Sequence, residues 1–266
     1  KLHKKGVGEM EFLRWSVEDG VAIVTINRPP ANALARAIIQ EMDELLDVLA
    51  NEQDVRVVVL HGEGRFFSAG ADIKEFTEVS SSEEFTKLAR KGQIVFDRME
   101  AFEKPIIAAI HGAALGGGLE LAMGCHIRYV TKSAKLGLPE SNLGLIPGFG
   151  GTQRLPRFVG AAKAAEMMFT SDPITGEEAV QFGLATRAFD DEELLPQTIA
   201  IAKKMALKSP IALGAAIKAL QYSKTSLFDA GLQAEAESFG HVFTSEDAKE
   251  GIQAFIEKRK PQFSGK

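Results

Sequence analysis

The chain has 266 residues, of which 45% are hydrophobic and 25% charged, and its formal net charge is −5. This composition is typical of a globular protein, and at roughly 150 residues per domain the length allows one large domain with a smaller appendage. The acidic balance disfavours general nucleic-acid binding, which needs a basic surface, although a few local lysines can still hold a phosphate.

The sequence predicts neither a membrane span nor a disulfide framework. No apolar run approaches the roughly 18 residues of a spanning helix, and the basic start lacks the apolar region of a secretory signal. The only cysteine, Cys125, is expected to pack as a small hydrophobic residue in a reducing compartment. We therefore expect a cytoplasmic protein, with the mitochondrial matrix as the alternative. Residues 1–9 are predicted to be an N-terminal extension, with Met10 as a candidate native start.

Four runs rich in β-branched residues predict strands, at 21–27, 55–60, 105–110 and 127–130. Between the first two, apolar side chains at helical spacing predict a helix over 35–50. Ser81 and Glu84 have capping-box spacing for another helix over 83–102. Near-continuous apolar strands that alternate with helices indicate a buried α/β core.

The polar segment 78–84 is a candidate mobile lid, and the strand pattern ends at about residue 190. Beyond it, helices are predicted over 191–208, 210–222, 227–243 and 246–259. The predicted organisation is thus an extension at 1–9, an α/β core at 10–190 and a helical region at 191–266. Such a helical region can serve as a lid or as an oligomerisation surface.

Glu120 and Glu140 are 20 positions apart, and each lies beside a glycine-rich turn. Paired carboxylates can act as acid and base when their surroundings separate their pKa values. The neighbouring glycines allow backbone N–H groups to approach a reacting oxygen. This combination suggests chemistry at a carbon activated by a carbonyl group.

Other motifs that the glycine-rich segments could encode are incomplete. After Gly116 and Gly118, Leu121 occupies the place of the third glycine of a dinucleotide-binding fingerprint. Ser68 lacks the first glycine of a nucleophile elbow. There is no phosphate-binding P-loop and no H-E-x-x-H motif, and the five histidines are scattered. We therefore predict neither a metal nor a redox cofactor.

Three segments occur together in order: 68–74 (Ser-Ala-Gly-Ala-Asp-Ile-Lys), 111–122 with its three consecutive glycines, and 137–155 with Gly-Leu-Pro-Glu and Gly-Gly-Thr-Gln-Arg-Leu. Asn27-Arg28-Pro29 and Glu257-Lys258-Arg259 accompany them. This set resembles the enoyl-CoA hydratase/isomerase family, the crotonase superfamily, across nearly the whole chain. The resemblance implies a spiral of ββα units with a C-terminal helical region that assembles trimers, usually paired into hexamers.

The resemblance also implies an acyl-CoA thioester substrate. Coenzyme A is then part of the substrate, and no separate cofactor is expected. By position in the motifs, the N–H groups of Ala71 and Gly117 would form an oxyanion hole for the thioester oxygen. The chain is similar to the hydratases of this family in having Glu at both acidic positions. The resemblance implies that Glu120 would activate water and that Glu140 would handle the proton at the α-carbon. The expected reaction is hydration of 2-trans-enoyl-CoA to 3-hydroxyacyl-CoA in fatty-acid β-oxidation or related acyl-CoA catabolism.

Further contacts follow from the same resemblance. Phe255 and Lys258 would reach the adenine and a phosphate of coenzyme A on a neighbouring subunit. The other implied contacts with coenzyme A or the acyl chain are Ala69, Asp72, Ile73, Lys74, Leu115, Gly116, Leu138, Pro139, Gly148 and Phe149.

Three alternatives to a simple hydratase stay open at this point. One is an enoyl-CoA isomerase, because Glu140 alone could move a proton between carbons. A second is a related hydratase for branched, methylglutaconyl-type thioesters. The loop 29–34 is one residue shorter than is usual in the family, where the resemblance places it near the acyl entry, so the preferred acyl chain is left open. The remote third is an RNA-binding module, which the acidic charge disfavours.

Overall fold

The computed structural model describes residues 7–208, 210–221, 236–237, 239–240, 243–259 and 261. The strands in this part of the chain are β1 Val7–Glu9, β2 Leu13–Glu18, β3 Val21–Ile26, β4 Val57–Gly62, β5 Ile106–Ile110, β6 Ala113–Leu115, β7 Ile127–Thr131, β8 Lys135–Gly137, β9 Ile174–Thr175 and β10 Arg187–Phe189. The helices are α1 Arg36–Asn51, α2 Ile73–Phe76, α3 Ser82–Glu100, α4 Gly117–Gly124, α5 Gly151–Val159, α6 Ala161–Thr170, α7 Gly176–Gln181, α8 Leu194–Ala206, α9 Pro210–Gln221 and α10 Glu246–Ile256, with a 3₁₀ helix at Glu140–Leu143.

The larger sheet has the order β1-β2-β3-β4-β5-β7-β10. The pairs from β3 to β10 are parallel, whereas β1, β2 and β3 are antiparallel neighbours. The apolar runs predicted as strands form this parallel part, because strands covered on both faces need apolar side chains on both. One face packs against α1, α3 and α4, and the other against α8. The expected α/β core is confirmed.

The edge of this sheet begins earlier than the sequence pattern indicated. Residues 7–9, predicted to belong to an extension, pair with β2. β2 and β3 are joined by Asp19 and Gly20, both with positive φ, which is the geometry of a two-residue hairpin turn whose twist suits the strands.

A smaller sheet of β6, β8 and β9 brings the two glutamates to one place. β6 and β8 are parallel neighbours, with Leu115 opposite Gly137, and the Gly116 N–H donates to the Gly137 carbonyl at 2.9 Å. Glu120 lies on the helix that follows β6, and Glu140 begins the 3₁₀ helix that follows β8. Because the carboxyl ends of parallel neighbours meet at one edge of a sheet, both carboxylates are delivered to that edge.

The C-terminal region is helical, as predicted, in α8, α9 and α10. The helix predicted over 227–243 lies mostly outside the described residues. An apolar cluster separate from the sheet faces joins this region to α2 and α3 through aromatic side chains that include Phe76, Phe85 and Phe239. Ser81 caps α3 as expected by accepting from the Glu84 N–H, but the Glu84 carboxylate accepts from the Ser80 N–H rather than that of Ser81. No helix in the described ranges is long and apolar enough to cross a membrane.

Candidate active site

A cavity of about 1160 Å³ lies at the edge where β6 and β8 end. Both predicted acid–base residues line it, and so do both predicted backbone donors. Its apolar wall includes Pro139, Leu145, Ile146, Phe149 and Phe239. A large, mostly apolar cavity with a few convergent polar groups is the usual form of a small-molecule site.

The Glu120 carboxylate is held inside the core. The side chain of Glu120 is 1% exposed, on a helix whose residues are all buried. Its Oε1 atom accepts from the N–H groups of Phe149 and Gly151, each at 2.8 Å. Charge-assisted bonds from two rigid backbone donors fix the orientation of the carboxylate and compensate for part of its lost hydration.

The loop that carries these donors is itself anchored. The Arg154 guanidinium donates to the Phe149 carbonyl at 2.9 Å and pairs with Asp97 and Glu100 of α3. The sequence did not single out Arg154 as more than part of a motif, and its side chain is only 1% exposed. The buried Gln93 of α3 donates to the Gly148 carbonyl of the same loop and was also missed.

Glu140 lies in a different setting. It is half-buried at the start of the 3₁₀ helix, with its Oε2 atom shielded from solvent. Its Oε1 atom lies 2.9 Å from the point that a Cβ on Gly116 would occupy. Gly116 has φ 51° and ψ −127°, a backbone conformation open to glycine. The glycine therefore serves both the turn and the approach of the carboxylate.

The two predicted oxyanion-hole donors come close together. Leu34 bonds through its N–H to the Gly70 carbonyl and through its carbonyl to the Asp72 N–H, so the intervening Ala71 N–H is turned away from Leu34. The Ala71 nitrogen lies 3.5 Å from the point that a Cβ on Gly117 would occupy. Gly117 is the first residue of α4, and the first N–H groups of a helix have no partner within it.

The far end of α4 is fixed by a buried arginine. Arg128 donates to the carbonyls of Cys125 and Leu184 at 2.8 and 2.7 Å. A cation near the last carbonyls of a helix is favourable to the helix dipole. Burial lowers the pKa of Arg128 to about 10 and raises the pKa of the Cys125 thiol to about 12, with Arg128 partly opposing the latter shift. Cys125 is buried, as expected.

Most of the residues expected to contact coenzyme A or the acyl chain line the cavity. The Asp72 carboxylate caps α2 by accepting from the Lys74 N–H at 3.1 Å and pairs with the Arg28 guanidinium, which the sequence did not predict as a cavity residue. The predicted ligand contacts that line the cavity are Ala69, Asp72, Ile73, Lys74, Gly116, Pro139, Gly148, Phe149 and Phe255.

Three predicted contact residues lie elsewhere. Leu138 is 1% exposed and packs in the core behind the cavity, because its side chain extends toward Gly151. Leu115 ends β6, and its carbonyl lies against Gly70. Neither residue is among those that line the cavity, and a direct contact of either with the acyl chain stays a prediction. Lys258 is exposed outside the cavity, and its contact with a neighbouring subunit stays a prediction.

Phe255 lines the cavity of its own chain. It is placed there by the packing of α10 on the 3₁₀ helix, where a Cβ on Gly251 would lie 2.1 Å from the Leu143 carbonyl oxygen. Its expected contact with a ligand on a neighbouring subunit stays a prediction. Phe255 is 58% exposed.

The arrangement can support proton transfer beside a stabilised oxyanion. Two carboxylates can move protons, and two adjacent backbone N–H groups can bind a developing negative charge. Within the described ranges, no group of three or more His, Cys, Asp or Glu residues could hold a metal ion.

Comparison with known proteins agrees with this geometry. The sequence model described as "Enoyl-CoA hydratase/isomerase" matches residues 16–266. A protein of Bacillus subtilis strain 168 named "Probable enoyl-CoA hydratase" is 54% identical over 257 residues, covering 96% of this chain and 100% of the relative. The "Short-chain-enoyl-CoA hydratase" of Clostridium acetobutylicum is 43% identical and covers 91% of this chain and 94% of its own.

A solved structure gives the same result for the backbone. The crystal structure of an enoyl-CoA hydratase/isomerase from Xanthobacter autotrophicus Py2 superposes with a TM-score of 0.87 at 26% identity. The superposition covers 97% of the present chain and 100% of the Xanthobacter chain. The predicted crotonase-like fold is therefore confirmed.

Proposed function

The chain belongs to the enoyl-CoA hydratase/isomerase family, and from that membership we propose that it adds water to the double bond of 2-trans-enoyl-CoA thioesters. The product is a 3-hydroxyacyl-CoA, and the enzyme is a hydro-lyase. The observation that supports this best is the convergence of Glu120, Glu140, Ala71 and Gly117 on one cavity.

In the proposed mechanism, the thioester oxygen accepts from the N–H groups of Ala71 and Gly117. Negative charge grows on that oxygen when water attacks the β-carbon, and each such donor is worth about 10²–10³ in rate. The fixed Glu120 carboxylate orients the water and takes its proton. Glu140 delivers a proton to the α-carbon, and each acid–base role contributes about 10²–10⁴.

Coenzyme A enters as part of the substrate, and we propose that its adenine end lies along Ala69, Asp72, Ile73 and Lys74, all of which line the cavity. The pathway we propose is β-oxidation or related acyl-CoA catabolism, and the assembly a homotrimer or a pair of trimers. A cytoplasmic location stays a prediction of the sequence.

A hydration assay tests the function directly. Purified protein is given crotonyl-, hexenoyl-, decenoyl- and methylglutaconyl-CoA, and loss of the conjugated enoyl absorbance is followed, with formation of the hydroxyacyl product checked by mass. We expect hydration of at least one straight-chain 2-enoyl thioester. Conversion of 3-enoyl thioesters without any hydration of 2-enoyl thioesters would contradict the proposal and indicate an isomerase.

A further inference from the structure

Gln93 is a buried polar side chain on the otherwise apolar face of α3. It is 0% exposed, and Phe85, Ala89, Phe96 and Met99 of the same face are also buried. A buried amide costs free energy unless its hydrogen bonds are made, so its partners explain its place in the fold.

The partners of Gln93 form a directed chain of hydrogen bonds. Its Oε1 atom accepts from the Arg90 guanidinium at 3.0 Å, which fixes which end of the amide is the donor. Its Nε2 atom then donates to the Gly148 carbonyl at 3.0 Å. Gly92 permits this approach, because a Cβ there would lie 2.5 Å from the Phe149 ring.

The Gly148 carbonyl belongs to the same peptide unit as the Phe149 N–H, which donates to Glu120 Oε1 at 2.8 Å. A trans peptide is planar, with its carbonyl and N–H pointing in opposite directions, so holding the carbonyl also aims the N–H. Hydrogen bonds in series also polarise one another in a low-dielectric interior. The side chain of Gln93 thus controls a donor to Glu120 without touching the cavity.

We propose that Gln93 is a positioning residue for Glu120, acting through the peptide unit between Gly148 and Phe149. The inference rests on the proposed function, in which Glu120 activates water while Glu140 and the two backbone donors act at the α-carbon. Loss of the Gln93 bond therefore impairs water addition and leaves proton exchange at the α-carbon intact.

The test compares two reactions in the Gln93→Met variant, which keeps an unbranched side chain but cannot donate to the carbonyl. One is hydration of crotonyl-CoA, and the other is deuterium uptake at the α-carbon of saturated butyryl-CoA in D₂O. We expect kcat for hydration to fall about tenfold, the effect of one lost hydrogen bond, with KM and deuterium uptake within about twofold of the wild type.

Val95→Ala is the matched control, since Val95 is buried on the same helix and belongs to the main apolar core. It should lower thermal stability while leaving both reactions near wild type. Should Gln93→Met not fold, Arg90→Met removes the bond that orients the amide and should give a smaller loss with the same selectivity.

An equal loss of both reactions, or unchanged hydration, would overturn the role of Gln93. Wild-type protein that exchanges the α-proton without hydrating any enoyl thioester would instead contradict the proposed function, and the assignment of Gln93 would fall with it.

Discussion

The surroundings of the two glutamates differ in what holds each carboxylate. Glu120 lies in the core, where the loop after Gly148 supplies two N–H donors and α3 anchors that loop. Glu140 lies where the smaller sheet meets the C-terminal region, beside Gly116 and in a 3₁₀ helix that packs on α10. One carboxylate thus depends on the rigid core and the other on the docking of a terminal helix.

The largest effect is expected from replacing either carboxylate by its amide. Glu120→Gln and Glu140→Gln should each lower kcat for hydration by about 10²–10⁴, because an amide can act neither as a general base nor as a general acid. The fold should persist, since the amide oxygen introduced by Glu120→Gln can still accept from the N–H groups of Phe149 and Gly151. Steady-state kinetics with circular dichroism provide the measurement.

Deuterium uptake at the α-carbon of butyryl-CoA in D₂O distinguishes the two variants. Glu120→Gln should retain exchange, and Glu140→Gln should lose it. Near-normal hydration by either folded variant would remove that residue from the proposed mechanism.

A smaller loss is expected when a methyl group is placed beside each carboxylate. A Cβ at Gly151 would lie 2.9 Å from Glu120 Oε1, and one at Gly116 would lie 2.9 Å from Glu140 Oε1. Gly151→Ala and Gly116→Ala should displace their glutamates and lower kcat by about 10–10², as small misplacements of catalytic groups do. Kinetics at saturating crotonyl-CoA test this.

Gly64→Ala is the control for backbone strain in Gly116→Ala, because both glycines have positive φ. Gly64 has φ 76° and no atom within 4 Å of the added Cβ, so its variant should lose about 1 kcal/mol of stability and keep its activity. Equal loss of activity in Gly116→Ala and Gly64→Ala would show that strain, rather than contact with Glu140, is responsible at Gly116.

The sequence predicted the parts of this comparison that repeat a simple pattern. The apolar runs gave the parallel strands because both faces of the sheet are buried, and the glycine-rich motifs located Glu120 and Glu140. Strands β6 and β8, which place the two glutamates, have three residues each and are too short to show a periodicity. The hairpin at Asp19 and Gly20 did have a signal, an Asp-Gly pair after alternating residues, and it was missed.

The support of Glu120 was harder to predict. Gln93 is a polar residue among the apolar residues of the buried face of α3. This break in the apolar pattern is the only feature of the nearby sequence that could have indicated its role. Arg154 gives no periodic signal, because its burial depends on acidic partners from α3, more than 50 positions earlier in the chain. Contacts of this kind become visible only when the helices are packed.

Disturbing the docking of α10 should affect the Glu140 side alone. Gly251→Ala would place a Cβ 2.1 Å from the Leu143 carbonyl oxygen, and such overpacking typically costs about 1–3 kcal/mol. We expect faster hydrogen exchange in α10 and the 3₁₀ helix and a several-fold lower kcat, with α4 protected as in the wild type. Equal loss of protection in α4 would show that the two regions open together.

The smallest expected effect is a pH dependence of the free energy of unfolding that arises from two partly buried histidines. Burial lowers the pKa values of His61 and His126, partly opposed by backbone hydrogen bonds. Below about pH 6.5 the two histidines bind protons in the unfolded chain but not in the folded chain. The free energy of unfolding should therefore decrease as the pH is lowered, by at most about 1.4 kcal/mol per pH unit for each histidine. Stability from this source is complete above that pH.

Urea midpoints at about pH 5.5 and 8 measure this dependence. His126 accepts from the Ile106 N–H through Nδ1 at 2.9 Å, and the side-chain oxygen of His126→Asn could accept the same bond without titrating. That variant should show a flatter pH dependence. An unchanged slope would mean that His126 does not contribute.

The single thiol of the chain follows directly after the helix that carries Glu120. Alkylating reagents attack thiolates, and Cys125 is both shielded from solvent and held protonated by burial. Modification of the native protein must therefore wait for this part of the core to open. The alkylation rate of Cys125 therefore reports how often the segment that carries Glu120 leaves its native packing.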